Sequence, residues 1–401
     1  KDNMLMEGKR ATAGSKILEG YRATYSATVV GKLAREGVVF LGRTNLDEFA
    51  MGSSPENSAF GVTKNPHDHS RVAGGSSGGS AAAVSMGAAL AALGSDTGGS
   101  IRQPASFCGV VGLKPTYGGV SRSGLVALGS SLDVIGPLGK TVNDVEIVFR
   151  AISGEDPLDS TTLPDSWGKK HEHKKRLVVG VPRHLLAEGL EGDVLSAFEE
   201  SLTRLAQAGH ELIDIELPVA KYALAVYYII LPAEASTNLA RFDGVKYGLH
   251  REGASPLEDY LNTRGEGFGR EPRRRIILGT YVLSSGYYDA YYSKALAVRR
   301  MMRKEFEEVF TLVDAIAFPT TPGPAFKIGE RADPLSMYLE DIFTVPANLT
   351  GLPAISLPAG AVSREGVTLP LGFQLIATSL REEVLFRLGR DILGESEETN
   401  L

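Results

Sequence analysis

The chain has 401 residues, 43% hydrophobic and 22% charged, proportions of a globular protein long enough to bury a real core. Its net charge of −6 lacks the basic footprint of a direct nucleic-acid binder, though it does not exclude a partner that holds nucleic acid. One cysteine, Cys108, excludes an intrachain disulfide framework, and with no run long enough for a membrane span and no signal peptide a cytoplasmic location is expected, or an organellar one in a eukaryote.

The sequence opens at "KDNMLMEGKRATAGSK", without Met, in what reads as the interior of a domain, so further residues are expected upstream. "YSATVVGKLAREG" has the apolar spacing and glycine stop of a helix, and "VVFLGR" reads as a buried strand. "TNLDEFAMG" begins with capping residues and early acids, which predicts a short helix. The run from Ser80 to Leu93, almost all small and apolar, predicts a buried helix between two Gly-Ser turns, "GGSSGG" and "GSDTGGS". Cys108 in apolar "ASFCGVVG" reads as a buried thiol rather than a nucleophile. The polar stretch 155–175, with the basic run Lys169 to Arg176, reads as a surface excursion, and 246–272 as another.

"LVVGVP" at 177–182, "DVLSAFEESLTRLAQAG" at 193–209 and "HELIDIELP" at 210–218 make a strand–helix–strand unit. Helices are predicted over 222–240 and 287–310, and "VDAIAFPT", "LPAISLPAG" and "LPLGFQLIA" as later strands. This alternation predicts an α/β sheet covered on both faces, without repeats or a clean domain boundary, so residues 1–401 are read as one domain.

Glycines ahead of Ser100 let several N–H groups converge, a nest suited to an anion or a developing oxyanion, with a hydroxyl at its end. Taken alone, a plain turn at a helix boundary is the preferred reading. Serine needs a base. None of the seven histidines lies between His69 and His171, and His67 and His69 in "NPHDHSR" read as turn residues. A desolvated lysine is the other option. "SWGK" at 166–169 has a Ser-x-x-Lys spacing but lies in the most charged loop; "GPLGKT" fails as a phosphate loop because Val134 stands where its first glycine belongs.

"GGSSGGSAAAV" followed by "GSDTGGSIRQPA" resembles the amidase signature family. The resemblance implies one large mixed β-sheet covered by helices on both faces and amide hydrolysis by a Ser-Ser-Lys triad. The family's lysine lies 75 residues before the first serine and the serines are 24 apart, the spacing of Lys1, Ser76 and Ser100. It extends nearly end to end, and "TNLDEFAMGSSPENSAFG", "FCGVVGLKPTYG", "EASTNLARFDGVKYG" and "LGTYVLSSGYYDAYY" resemble the A subunits of glutamyl-tRNA(Gln)/aspartyl-tRNA(Asn) amidotransferases. Such a protein is a glutaminase. It passes ammonia to a B subunit that uses ATP and Mg2+ to amidate glutamyl- or aspartyl-tRNA, a C subunit clasps the pair, and the glutaminase itself uses no cofactor or metal.

Residue by residue, the resemblance makes Ser100 the nucleophile, Ser76 a proton relay after a cis Gly75–Ser76 peptide, and Lys1 a base that starts neutral. Thr97, Gly98 and Gly99, with Ser100, would form the oxyanion hole. Arg275 would hold the glutamine carboxylate, with Arg274 as rival; Asp341 would hold its amino group; and Tyr228, rather than Tyr227, would close the pocket. The sequence departs from the family at Ala73, where a proline is usual, and in starting at Lys1, where members have a preceding helical segment. A stand-alone amidase of small or aliphatic amides would share the triad but leave Arg275 and Asp341 nothing to bind. A non-catalytic scaffold retaining the fold is opposed by the intact triad.

Overall fold

Short apolar runs between helices assemble into one eight-stranded sheet in the computed structural model, which describes residues 1–164, 174–186 and 189–396. The "SWGK" motif and the start of the basic run at Lys169 lie outside the described residues. The strands are β1 (Ala91–Asp96), β2 (Val111–Lys114), β3 (Val134–Gly139), β4 (Val178–Val181), β5 (Glu211–Asp214), β6 (Ala315–Pro319), β7 (Ala354–Arg364) and β8 (Val367–Ala377). Their order is β1-β3-β2-β7-β8-β6-β4-β5. β4 runs parallel to β5 and β6, and the remaining neighbours are antiparallel.

Every residue of β2, β3 and β6 is buried, which requires cover on both faces of the sheet. Helices Arg102–Cys108, Gly192–Gln207 and Glu382–Leu393 pack on β7 and β8, and helix Val142–Ile152 packs on β3. The last of these starts at a capping box, Thr141 with Asp144. The predicted strand–helix–strand unit forms as β4, Gly192–Gln207 and β5, and the later strand candidates form β6, β7 and β8. Helix Thr28–Arg35 and helix Ala223–Asn238 also lie where expected.

Three expectations are corrected. The small-residue run from Ser80 divides: the helix is Gly78–Ser85, and Ala91 onward joins the sheet as β1. An all-apolar run has no periodicity to favour either form, and β3 offers a ladder from Ala91 opposite Gly139 to Asp96 opposite Val134. "VVFLGR" forms no strand among the described residues; Val39 and Leu41 are 79% and 74% exposed, because an apolar run needs an edge to pair with. In "TNLDEFAMG" only Glu48–Ala50 makes a 3-10 turn, with Phe49 at φ 50 and Ala50 at φ 62. There the Phe49 ring packs on Phe242 and Phe268 while Glu48 accepts from Ser15 and from the Gly269 N–H, tertiary contacts that override local preference. The stretch 246–272 is mostly exposed, as expected of a surface excursion, and is helical in part, with helix Pro256–Gly267, capped by Ser255, and the start of helix Arg270–Leu283. The helix predicted from 287 begins as a wider π-type turn, Tyr288–Ser293, before Lys294–Val309.

Candidate active site

β1 ends at Asp96, and the chain turns through residues 97–100 into helix Arg102–Cys108. The Asp96 carboxylate braces this turn, accepting from the N–H of Gly99 at 2.8 Å, the N–H of Ile101 at 3.1 Å and Arg102 at 3.0 Å. Burial opposes its charge, but the Arg102 guanidinium beside it holds Asp96 well below the usual carboxylate range. The Gly99 N–H is thereby committed to Asp96, whereas the Thr97 and Gly98 N–H groups make no hydrogen bond among the described residues. Thr97 Oγ1 donates to buried Asp133 at 2.7 Å, and Thr344 Oγ1 donates to the Gly98 carbonyl at 2.6 Å. A Cβ at position 98 would lie 2.5 Å from the Tyr227 ring, so only glycine fits beneath that tyrosine.

Lys1 reaches the other turn. Its Nζ lies 2.8 Å from Ser76 Oγ, 2.9 Å from Ser77 Oγ, 2.9 Å from Ser95 Oγ and 3.2 Å from the Ser95 carbonyl. Ser77 donates its own hydroxyl proton to the Ser95 carbonyl at 3.1 Å and so meets Lys1 as an acceptor. A neutral amine has two N–H bonds and one lone pair; with Ser77 and Ser95 taking the N–H bonds, the lone pair is left to Ser76. Burial brings Lys1 down to about 7 against the opposing pull of Asp47, Asp96 and Asp133. The neutral base is thus within reach of ordinary pH.

The Gly75–Ser76 peptide is cis, and the Ser77 N–H donates to the Ser100 carbonyl at 3.1 Å, joining the two Gly-Ser turns directly. Ser76 is fully buried and Ser100 is 9% exposed. No hydrogen bond joins their hydroxyls among the described residues; such catalytic contacts commonly tighten only around substrate. At Gly75 a Cβ would lie 2.1 Å from Asp47 Oδ2, so the segment after Asn45 presses directly against this turn.

The Arg275–Asp341 end is assembled from distant elements. Asp341 accepts from Ser53 Oγ at 3.0 Å on each oxygen and from the Tyr228 hydroxyl at 3.2 Å. Burial pushes Asp341 up to about 7, although the Ser53 and Tyr228 hydrogen bonds and Arg275 act the other way. Arg275, in helix Arg270–Leu283, is 3% exposed and donates from Nε to Glu271 at 2.7 Å. Its guanidinium lies 4.9 Å from the Tyr228 ring and 5.1 Å from the Tyr338 ring, two rings stacked at 3.8 Å. Arg274 is the outer residue, partly exposed and paired with the other oxygen of Glu271. The two tyrosines divide the work of enclosure: Tyr227 covers Gly98 and Tyr228 bridges Arg275 and Asp341.

Cys108 is buried, which pushes its thiol well up, and His67 rests 3.1 Å from the Cys108 carbonyl rather than beside Lys1. Ser77, Ser95 and Asp96 belong to the site beyond the residues predicted for it; they lie within the Gly-Ser motifs, and their neighbours there are the available signal. Ser53 and Tyr338 carry no such signal, since each acts through a contact across the fold, whereas Glu271 stands four residues before Arg275 on the same helix, a local spacing that could have been read.

Residues 1–386 match the Amidase family. The chain is 54% identical over 398 residues to the A subunit of the Koribacter versatilis glutamyl-tRNA(Gln) amidotransferase, spanning 98% of this chain and 82% of that one. It is 57% identical over 388 residues to the A subunit of the same enzyme from Caldanaerobacter subterraneus subsp. tengcongensis, spanning 95% and 79%. The 1.80 Å crystal structure of the A subunit of the Thermotoga maritima glutamyl-tRNA(Gln) amidotransferase superposes with a TM-score of 0.82 at 48% identity, covering 100% of this chain and 83% of that one. A 6-aminohexanoate cyclic dimer hydrolase shares the fold at 26% identity and a TM-score of 0.82, covering 98% and 83%. Both Gly-Ser turns, the lysine that meets them and all eight strands fall inside the matched span, and the chain belongs to the amidase family.

Proposed function

We propose that this chain is the glutamine-hydrolysing A subunit of a tRNA-dependent amidotransferase, supplying ammonia for conversion of Glu-tRNA(Gln) or Asp-tRNA(Asn) to the amidated forms. The observation that carries the choice of substrate is the buried pairing of Arg275 with Asp341 through Tyr228. Those groups are complementary to the α-carboxylate and α-ammonium of a free amino acid, and a simple amide offers them nothing. The likeness to amidotransferase A subunits supports the same reading.

In the proposed reaction the Ser100 hydroxyl passes its proton to Ser76 as Ser76 passes its own to neutral Lys1. Ser100 Oγ bonds to the carboxamide carbon, and the carbonyl electron pair moves onto oxygen, facing the Thr97 and Gly98 N–H groups. Lys1 returns the proton through Ser76 to the departing nitrogen, the C–N bond breaks and ammonia leaves. Water then cleaves the ester by the same proton route, releasing glutamate. This acyl transfer uses no cofactor in the chain itself. ATP and Mg2+ belong to the proposed B subunit, which receives the ammonia and holds the tRNA, and a C subunit completes the heterotrimer.

The test is co-purification of the full chain with candidate B and C subunits, followed by ammonia release from glutamine and from propionamide. Glutamine is expected to be strongly preferred. Equal use of both amides would overturn the glutaminase reading in favour of a stand-alone amidase.

A further inference from the structure

The segment from Asp47 to Ser54 touches both ends of the site, and one side chain connects it to the lysine end. Ser53 Oγ donates to both oxygens of Asp341 at 3.0 Å. The Ser53 carbonyl accepts from Gln103 Nε2 at 2.9 Å, and Gln103 Oε1 accepts from the Gly75 N–H at 2.8 Å. Gly75 immediately precedes Ser76, whose hydroxyl meets Lys1 at 2.8 Å. A peptide N–H can only donate and a carbonyl can only accept, so the Gln103 amide has one orientation that serves both. Gln103 is fully buried, with no water-facing alternative for these partners. A continuous path therefore runs from Asp341 through Ser53, Gln103 and Gly75 to Ser76 and Lys1.

We infer that Gln103 is a positioning residue that makes the Gly75–Ser76 turn respond to the Asp341 end of the site. On the glutaminase reading, on which this rests, an α-ammonium seated on Asp341 holds Ser53, Ser53 holds Gln103, and Gln103 holds the turn that carries the proton relay. Hydrolysis is thereby fastest for amides that possess the amino-acid end. Tight packing reinforces the tie, since Ser54 N would lie only 2.6 Å from a Cβ at Gly75 and the turn cannot move independently of this segment.

The experiment is a double-mutant cycle on the full chain in its complex, with Ser53→Ala, Gln103→Ala and both together. The readout is the preference for glutamine over propionamide, the ratio of their kcat/KM values. Each single substitution is expected to lower that preference about tenfold, and the double to lower it no further than the larger single. Gln103→Ala should act chiefly on kcat for glutamine and Ser53→Ala chiefly on KM. Gln103→Glu keeps the acceptor for the Gly75 N–H, but its bond to the Ser53 carbonyl needs a protonated carboxyl. Its preference, relative to wild type at the same pH, should recover as pH falls, and this variant carries the test if Gln103→Ala does not fold. Effects that multiply in the double, or an equal loss on both amides in Gln103→Ala, would overturn the inference. A wild-type chain with no preference for glutamine would instead overturn the glutaminase reading itself.

Discussion

Around Lys1 the site is made of short turns and hydroxyls close together in sequence motifs, with Ser76, Ser77, Ser95 and the 97–100 turn all contributed by residues 74–100. Around Arg275 it is made of side chains drawn from four separated stretches: Ser53, the helix carrying Tyr228, the helix carrying Arg275, and Tyr338 with Asp341. The lysine end keeps its cation neutralisable by surrounding it with hydroxyls and a carbonyl instead of a contacting carboxylate. At the other end Arg275 is paired with a carboxylate, Glu271, and Asp341, which burial brings up to about 7, accepts from two hydroxyls. On the proposed reading the difference separates what performs the reaction from what selects the substrate, and substitutions should separate them in the same way.

Removal of the Ser100 hydroxyl is the largest expected effect. Ser100→Ala should lower kcat for glutamine by about 10³ or more, since the other hydroxyl of the turn, on Thr97, is committed to Asp133. It should leave glutamine binding and assembly with partner subunits in place, and free ammonia should still support tRNA amidation. Near-normal glutamine hydrolysis in the variant would break the assignment of the lysine end.

Lys1→Arg should be nearly as damaging, on the order of 10³ in kcat, because guanidinium does not give up its proton at working pH. Lysine here is neutral above about 7, burial having lowered it. Wild-type turnover in the Lys1→Arg enzyme would rule out a lysine base.

At the other end, Arg275→Ala should raise KM for glutamine about 30- to 100-fold by removing a charge-assisted contact to the carboxylate and leaving Glu271 without its inner partner. Propionamide hydrolysis should change far less. If both substrates lost activity equally, Arg275 would be a structural residue of its helix.

That contrast also decides what was legible in the sequence. Ser76 and Ser100 stand in glycine-rich turns, but it is the resemblance to the amidase signature family that singles them out together with Lys1, whereas β7 and β8 show directly in the apolar runs "LPAISLPAG" and "LPLGFQLIA". Ser53 bonds Asp341 across 288 positions, and Tyr338 reaches Glu271 across 67, so no local pattern announces either. Local reading also failed where tertiary contacts decide conformation. Phe49 is left-handed because its ring belongs to an aromatic cluster, and Ala91–Asp96 is a strand because β3 lies beside it. Gly99 illustrates the intermediate case: its motif was legible, but the commitment of its N–H to Asp96 was not.

The pH dependence sharpens the comparison, because each end contributes one titration. Lys1 must be neutral and Asp341 ionised, and burial places both at about 7. Both conditions are met above that value and lost below it, so kcat/KM for glutamine should fall about a hundredfold per pH unit well below 7, one factor of ten for each group. Asp341→Asn removes one titration, and its slope should fall to about tenfold per unit, the slope also expected for propionamide on the wild-type enzyme. Identical slopes for the two amides on the wild type would show that Asp341 does not bind a cation.

The smallest effect should come from Tyr338, which extends the Arg275 end without contacting Asp341 through a hydrogen bond. Its ring stacks on Tyr228 at 3.8 Å, its face lies 5.1 Å from the Arg275 guanidinium, and its hydroxyl donates to Glu271 at 3.3 Å. Tyr338→Phe removes only a long hydrogen bond and should leave KM within about twofold of wild type. Tyr338→Leu removes the ring and with it one of the two aromatic faces that orient the guanidinium; a cation–π contact of this kind is worth about 1 kcal/mol, so KM for glutamine should rise about fivefold. Because the ring acts through Arg275, the same substitution made in Arg275→Ala should add almost nothing. A full fivefold loss on that background would mean that Tyr338 touches the substrate itself, and the boundary of the amino-acid end would have to be drawn to include it.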